Sequence, residues 1–396
     1  MRILVTTFTY PPNKDGVAEA SRVMAEGLAE HGWEVSVATG YPTDGSEASA
    51  FQPGAAGGVK VERFDLGHHN SEDPEMVQEV RRFLDFVLDG AFDVIVNQCW
   101  DVWPTTLMQP ILSKLTSAKV LVSHGYSQHV YQWAATPAMG LGVWLRGLQW
   151  TFARLPKMAR EYDRLIFLSE KQGWGRFFDH TVAIWLKHPG IEVVPNGTDP
   201  DLTLPDDGGF RTRHGIGPGP MALCVANYCL RKNQQLAVRV FREARVPGST
   251  LVFIGSELND YAREARELDE QLRGPAHCCQ VVFLEKLTRA ETFAAFKATD
   301  LVILTAKTET QPIVLIEAMA AGKPWISTDT GCVDRMEGGI VCRNAASMRA
   351  ALINLLTDPE LRTSLSVEGR KAARSRYSSS NCVMKYDSIF RSLVEH

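Results

Sequence analysis

Leu301-Val302-Ile303-Leu304-Thr305-Ala306-Lys307-Thr308-Glu309-Thr310-Gln311-Pro312-Ile313-Val314-Leu315-Ile316-Glu317-Ala318-Met319-Ala320-Ala321-Gly322-Lys323-Pro324-Trp325-Ile326-Ser327 reads as strand, loop, helix, turn and strand without interruption. Leu301–Leu304 is a short apolar run of the kind that is buried on both faces of a parallel sheet. Pro312 suits the first turn of a helix, predicted around Val314–Ala321, because its missing N–H would have no partner there anyway. Gly322-Lys323-Pro324 then turns the chain into a second run, Pro324–Ser327.

The same alternation extends outward. Strands are predicted at Met221–Val225, Thr250–Ile254 and Gln280–Phe283, separated by helices around Gln234–Arg245, Asp260–Arg273 and Glu291–Thr299. An earlier series opens on Arg2–Thr7. It continues through a helix over Ala18–His31, whose Val23, Ala25, Leu28 and Ala29 recur at helical spacing, with Gly32 at the cap. Strands follow at Glu34–Ala38, Lys60–Phe64, Asp93–Asn97, Lys119–Ser123 and Arg164–Leu168. Short apolar strands alternating with helices define an α/β protein with parallel sheets covered on both sides.

At 396 residues the chain exceeds what one core usually supports. Two doubly wound, Rossmann-like domains are therefore expected, 1–198 and 199–380. Asp199–Pro220, rich in Asp, Gly and Pro, forms the linker region. A last helix, around Asn381–Glu395 within 381–396, is expected to pack back on the first domain. Ligands of open parallel sheets bind beyond the carboxyl ends of the strands, which places the expected site in a cleft between two facing domains.

Composition excludes several functions. A formal charge of −4 provides no basic field for non-specific nucleic-acid binding. Met1-Arg2 leads into an apolar run too short for a signal peptide, and no apolar stretch approaches the roughly 20 residues of a membrane span. Eight cysteines without a Cys-x-x-Cys pair fit reduced thiols, and the expected compartment is the cytoplasm. There is no Gly-x-Gly-x-x-Gly after the first strand and no Walker loop. His68-His69 lack ligand partners at useful spacing. Gly125-Tyr126-Ser127-Gln128-His129 lacks the closing glycine of a hydrolase elbow. A metal-independent site without a cofactor is expected.

The chemistry concentrates in the opening segment. Glu309 lies in the loop and Glu317 in the helix. The first helical amides, those of Ile313 and Val314, offer donors and a positive dipole end to a diphosphate, since Pro312 has no N–H. Two glutamates alone would read as a solvated loop acid and a paired helix acid. The Glu-Ala-Met-Ala-Ala-Gly-Lys-Pro run changes that reading.

With Glu309, Glu317, Ala318, Met319, Gly322 and Pro324 in this pattern, the sequence resembles the retaining glycosyltransferases of family 4, of the GT-B fold. Pro11-Pro12…Gly16, Val194-Pro195-Asn196-Gly197-Thr198-Asp199 and Gly338-Gly339-Ile340-Val341 extend the resemblance over essentially the whole chain. It implies Glu309 near a donor sugar, Glu317 on the ribose and Lys232 on the diphosphate. It also implies Gly16 approaching the donor or acceptor, and His124 as the active-site histidine in a positioning role. Asn227 stands where the family carries arginine. Arg231 either substitutes for that arginine or is an exposed residue at a helix start. Thr310-Gln311-Pro312 replaces Gly-Phe-Gly, so Gln311 belongs to a loop expected to help set donor specificity.

The activity so implied is transfer from a nucleotide diphosphate sugar to a hydroxyl acceptor on a glycan, a lipid-linked saccharide or a small-molecule glycoside. A nucleotide-sugar epimerase of the same fold and a catalytically silent sugar-nucleotide binder are the alternatives. The basic, Trp-rich segment 133–158 reads either as core with snorkelling cations or as a peripheral membrane contact.

Overall fold

In the computed structural model, β1 (Arg2–Thr6) places Ile3, Leu4 and Val5 wholly out of solvent. The structure describes residues 1–42, 58–66, 74–126, 149–173, 176–199, 209–273 and 279–395. His68-His69, residues 127–129, residues 133–148 of the Trp-rich segment and residues 200–208 of the predicted linker lie outside these. The chain divides into two compact units, Met1–Asn196 with Ser379–His396, and Gly197–Ser378.

The first unit holds a parallel sheet in the order β3-β2-β1-β4-β5-β6-β7. The further strands are β2 (Glu34–Gly40), β3 (Lys60–Phe64), β4 (Val94–Gln98), β5 (Ala118–Ser123), β6 (Arg164–Phe167) and β7 (Ile191–Val193). Alternation along the strands splits its core in two. Leu4, Ile95, Leu121 and Leu165 pack on one face, and Val5, Val96, Val122 and Ile166 on the other.

The second unit holds the order β10-β9-β8-β11-β12-β13. These are β8 (Met221–Val225), β9 (Thr250–Gly255), β10 (Gln280–Glu285), β11 (Leu301–Leu304), β12 (Trp325–Thr328) and β13 (Gly339–Cys342). All its pairings are parallel. Strand order reverses at β1/β4 in one unit and at β8/β11 in the other, so each sheet has a switch point with a crevice at its carboxyl ends.

Helix Ser379–Val394 follows the second unit in sequence, yet it completes the first unit's core. Cys382, Tyr386 and Phe390 pack with Met24, Ala25 and Leu28 of helix Gly16–Glu30. Trp33 Nε1 donates to Asp387 Oδ1 at 2.7 Å, and Arg391 to the His31 carbonyl at 2.9 Å. The close approach depends on Gly27, where a Cβ would lie 2.4 Å from Val383 Cγ2.

The structure departs from the sequence reading in several places. The predicted linker contains a helix, Phe210–Arg213, whose Phe210 is fully buried. Arg211 pins it through the carbonyls of Ala298, Gly217 and Gly219, so one aromatic and one guanidinium anchor a segment whose composition reads as loop. Short β7 closes one sheet. β13 closes the other, and its Gly339 is needed because a Cβ there would lie 2.0 Å from the Trp325 ring. Helices Pro74–Asp89, Ala345–Thr357 and Pro359–Ser375 join those read from the alternation.

Gly27→Leu should destabilise the protein by about 1–3 kcal/mol despite the better helix propensity of leucine. A lowered thermal midpoint, with loss of Trp33 burial read by fluorescence, would confirm that helix Ser379–Val394 is displaced.

Candidate functional site

In the second unit, the loop after β8 is shaped before any charge is considered. Gln234, fully buried at the start of helix Gln234–Ala244, donates to the carbonyls of Ala226 and Asn227 at 3.2 and 3.0 Å. Lys232 N and Asn233 N both bond the Cys229 carbonyl, and Asn233 takes the left-handed conformation that short polar residues tolerate. Because β8 neighbours β11, this loop meets the one after β11. Thr305 Oγ1 donates to the Lys232 carbonyl at 3.1 Å, and Lys307 N to the Arg231 carbonyl at 2.8 Å.

Those ties bring Lys232 and Glu309 together. Lys232 Nζ lies 2.5 Å from Glu309 Oε1, and an Arg231 guanidinium nitrogen 4.0 Å from Oε2. Glu309 is 8% exposed, so it is not the solvated loop acid of the ordinary reading. Its N–H donates to Thr330 Oγ1 at 3.0 Å, and Cys332 N bonds the Thr310 carbonyl at 2.9 Å. The loop after β12 thus braces residues 309–310. Gly331 permits this contact. Its φ is +56°, and a Cβ would stand 2.3 Å from the Thr310 oxygen.

Helix Ile313–Ala320 begins directly after Pro312 with no side-chain cap. The Leu315 amide bonds the Pro312 carbonyl at 3.1 Å, which leaves Ile313 and Val314 as the first helical amides. Glu317, 6% exposed, pairs with Arg289 at 3.0 Å. In this respect the plain expectation for a helix acid holds. Arg289 sits over the Phe293 ring, 4.7 Å from its centroid. Gln311 is buried, whereas Asn227 and Arg231 are exposed at the rim.

In the first unit, Gly16 opens helix Gly16–Glu30, but Asp15 already serves its amides. Asp15 Oδ1 accepts from Val17 N at 2.9 Å and Ala18 N at 3.0 Å, while Oδ2 accepts from Thr9 Oγ1 at 2.5 Å. His124 follows β5, and its Nε2 donates to Gln98 Oε1, 2.7 Å away at the end of β4. Burial, aided by the Arg176 charge, holds the imidazole down to about 4, so the ring is neutral at pH 7. The end of β5 is anchored by buried Asp179, which accepts from Ser123 Oγ and from Trp100 Nε1 at 2.7 Å. Burial raises the Asp179 carboxyl above the usual range.

Gln98, Asp179 and Arg289 were not singled out by the sequence. Gln98 directly follows a predicted strand, the same signal that marks His124. Arg289 and Asp179 carry no local signal, because their partners lie 28 and 56 residues away. Among the described residues, no group of three or more His, Cys, Asp or Glu side chains is placed to hold a metal ion. No helix there is long and apolar enough to cross a membrane.

Comparison with known proteins matches residues 15–197 to the glycosyl transferase 4-like domain and residues 219–358 to the glycosyl transferases group 1. The chain belongs to the group 1 glycosyltransferases. N-acetyl-alpha-D-glucosaminyl L-malate synthase of Bacillus anthracis is 28% identical over 28% of this chain and 30% of its own length. D-inositol 3-phosphate glycosyltransferase of Mycobacteroides abscessus is 26% identical over 43% of this chain and 38% of its own. The chain thus spans about a third of the length of the curated relatives it matches. Sucrose-phosphate synthase from Thermosynechococcus elongatus superposes with a TM-score of 0.78 at 18% identity, covering 100% of this chain and 99% of that one. Anabaena HepE in complex with UDP-glucose gives 0.72 at 17%, covering 99% and 100%. These likenesses establish the GT-B fold of this group 1 chain.

Two outcomes follow from the geometry. Gly331→Ala should cost more than the roughly 1–2 kcal/mol of a left-handed residue's strain, because its Cβ would also clash with the Thr310 carbonyl oxygen, and urea denaturation would register it. For His124, the folded pKa of about 4 lies below the ordinary 6.5, so the unfolded chain binds that proton first. Its contribution is complete above pH 6.5 and is lost as pH falls through 4. Urea midpoints should therefore drop more steeply on acidification in the natural protein than in His124→Gln.

Proposed function

We propose that this group 1 glycosyltransferase moves a sugar from a nucleotide diphosphate sugar to a hydroxyl acceptor, with retention of the anomeric configuration and without a metal ion. The observation carrying the reading is the Lys232–Glu309 pair, 2.5 Å apart at the carboxyl ends of adjacent β8 and β11, beside the uncapped start of helix Ile313–Ala320. A lysine paired to the loop-and-helix segment that carries two uncapped helical amides suits a diphosphate, and a buried carboxylate paired with that lysine suits sugar hydroxyls. Glu317, four residues into the same helix, lies where ribose hydroxyls would follow the diphosphate. Binding the ribose would draw Glu317 away from Arg289, freeing a guanidinium at the rim. Anabaena HepE, a structure of this fold, holds UDP-glucose, so uridine is the base to try first.

In the reaction, the bond between the anomeric carbon and the phosphate oxygen breaks. The acceptor oxygen bonds the same face of that carbon, and its proton passes to the donor's phosphate. Negative charge grows on the departing diphosphate, where Lys232 and the helix dipole stabilise it. Contacts that strengthen as the charge develops lower the barrier more than uniform binding does.

Calorimetric titration with UDP tests the site. Glu317→Ala and Lys232→Ala should each weaken binding about tenfold or more, and unchanged affinity in both would overturn the assignment. Lys232→Ala should also lower stability by about 1–3 kcal/mol, because the buried Glu309 carboxylate keeps only the longer contact to Arg231. Incubation with UDP-, GDP- and dTDP-sugars then separates the reactions. Slow release of nucleoside diphosphate with intact sugar marks a transferase, and sugar conversion without an acceptor marks the epimerase.

A further inference from the structure

The first unit carries an aromatic and cationic face that the sugar-transfer reading leaves without a role. Phe152 is 53% exposed, Ile184 38% and Trp185 61%. Phe152 and Trp185 both set their rings edge-on against buried Phe178, with centroids 5.7 and 5.9 Å away. They form one patch rather than scattered apolar residues. Beneath it, Leu155, Met158 and Ala159 of helix Leu155–Ala159 share a core with Phe178, Val182 and Ala183 of helix Phe178–Trp185, so the two helices hold the patch rigidly.

Its charge is one-sided. Residues 149–160 contain Arg154, Lys157 and Arg160 and no acid, and residues 180–188 contain Lys187 and no acid. All four cations are exposed. Asp179 is buried under the patch rather than on it. In a chain of net charge −4, four exposed cations thus adjoin three exposed apolar side chains in the sequence, with half-exposed Glu161 following Arg160. Arg160 and Leu186 continue into a cavity of about 600 Å³ whose other lining includes Lys119, Arg164 and His188. Lys119 and Arg164 both lean on Asp163, the first through its carboxylate at 3.5 Å and the second through its carbonyl at 2.9 Å. With Arg160, three cations there face one carboxylate. This cavity lies at the amino ends of β5 and β6, opposite the end that bears His124.

We infer that the face formed by Phe152, Ile184 and Trp185, with the adjoining Arg154, Lys157, Arg160 and Lys187, docks the protein on an anionic lipid bilayer. Aromatic side chains favour the interface between acyl chains and headgroups, and lysine and arginine favour a negatively charged leaflet. The cavity beside Arg160 is of a size and charge to take a lipid phosphate. Self-association through the same face would set like charges against each other, which disfavours a second copy as occupant. In the sequence, segment 133–158 reads either as core with snorkelling cations or as a peripheral contact. The tertiary structure adds Ile184, Trp185 and Lys187, more than twenty residues beyond that segment. The inference stands independently of the sugar-transfer reading.

Sedimentation with vesicles decides it. The protein should pellet with phosphatidylcholine vesicles containing about a third phosphatidylglycerol, and not with phosphatidylcholine alone, and salt should release it. Lys157→Glu combined with Lys187→Glu should weaken the apparent affinity by about tenfold or more, since each cation near such a surface contributes about fivefold. Trp185→Ser should weaken it without altering the salt dependence. Both variants change exposed positions, and an unchanged circular-dichroism melt would confirm that the fold persists. Equal pelleting with neutral vesicles, no pelleting with either, or variants that bind like the natural protein would each overturn the inference. So would a concentration-dependent dimer abolished by the same charge reversals in the absence of vesicle binding.

Discussion

Strand adjacency is the constraint on which the second unit's site depends. β8 and β11 lie side by side, but the chain leaves β8 toward β9 on one side and leaves β11 toward β12 on the other. Loops that would otherwise fill the space above the sheet are drawn apart, and a crevice opens at the carboxyl ends. Lys232 and Glu309, 77 residues apart, meet there while two hydrogen bonds to backbone carbonyls, from Thr305 Oγ1 and from Lys307 N, hold their loops together. The ion pair is a consequence of the sheet order, and the order is a consequence of which strands bury their apolar faces best.

Helix Gly16–Glu30, after β1, and helix Ile313–Ala320, after β11, begin differently. Asp15 caps helix Gly16–Glu30 and occupies its first amides, so that end already carries a negative group of its own. Helix Ile313–Ala320 follows a proline, has no side-chain cap, and leaves its dipole end to whatever approaches. Helix Trp103–Met108, which follows β4 as Ile313–Ala320 follows β11, is uncapped as well, and the second unit adds the Lys232–Glu309 pair, whose Glu309 lies in the loop before its helix. Physical chemistry thus favours an anion in the second unit without appeal to kinship.

Buried charge shapes the first unit as well. His124 is held neutral by burial and by Arg176, and its ring is oriented by Gln98. A neutral, oriented imidazole with so low a pKa is suited to holding a ligand group in place and poorly suited to taking up a proton near neutrality. Asp179 supports it from below through Ser123.

Much of this was legible before any coordinates. Apolar runs of strand length separated by helical periodicity demand parallel sheets, because such strands must be covered on both faces. The Glu309–Pro324 run likewise announced a loop acid, a helix acid and a helix start in fixed order along the chain. These properties are local, set by residues within a few positions of one another. Other features depended on chain segments far apart meeting in space. Examples are the pairing of Glu317 with Arg289, the clamp of Gln98 on His124, the anchoring of Phe210–Arg213 inside a stretch composed like a loop, and the joining of Trp185 to Phe152 across Phe178. No local pattern encodes such contacts. They arise only when the sheets have chosen their strand order and the helices their faces, and that choice is made by the packing of the whole core.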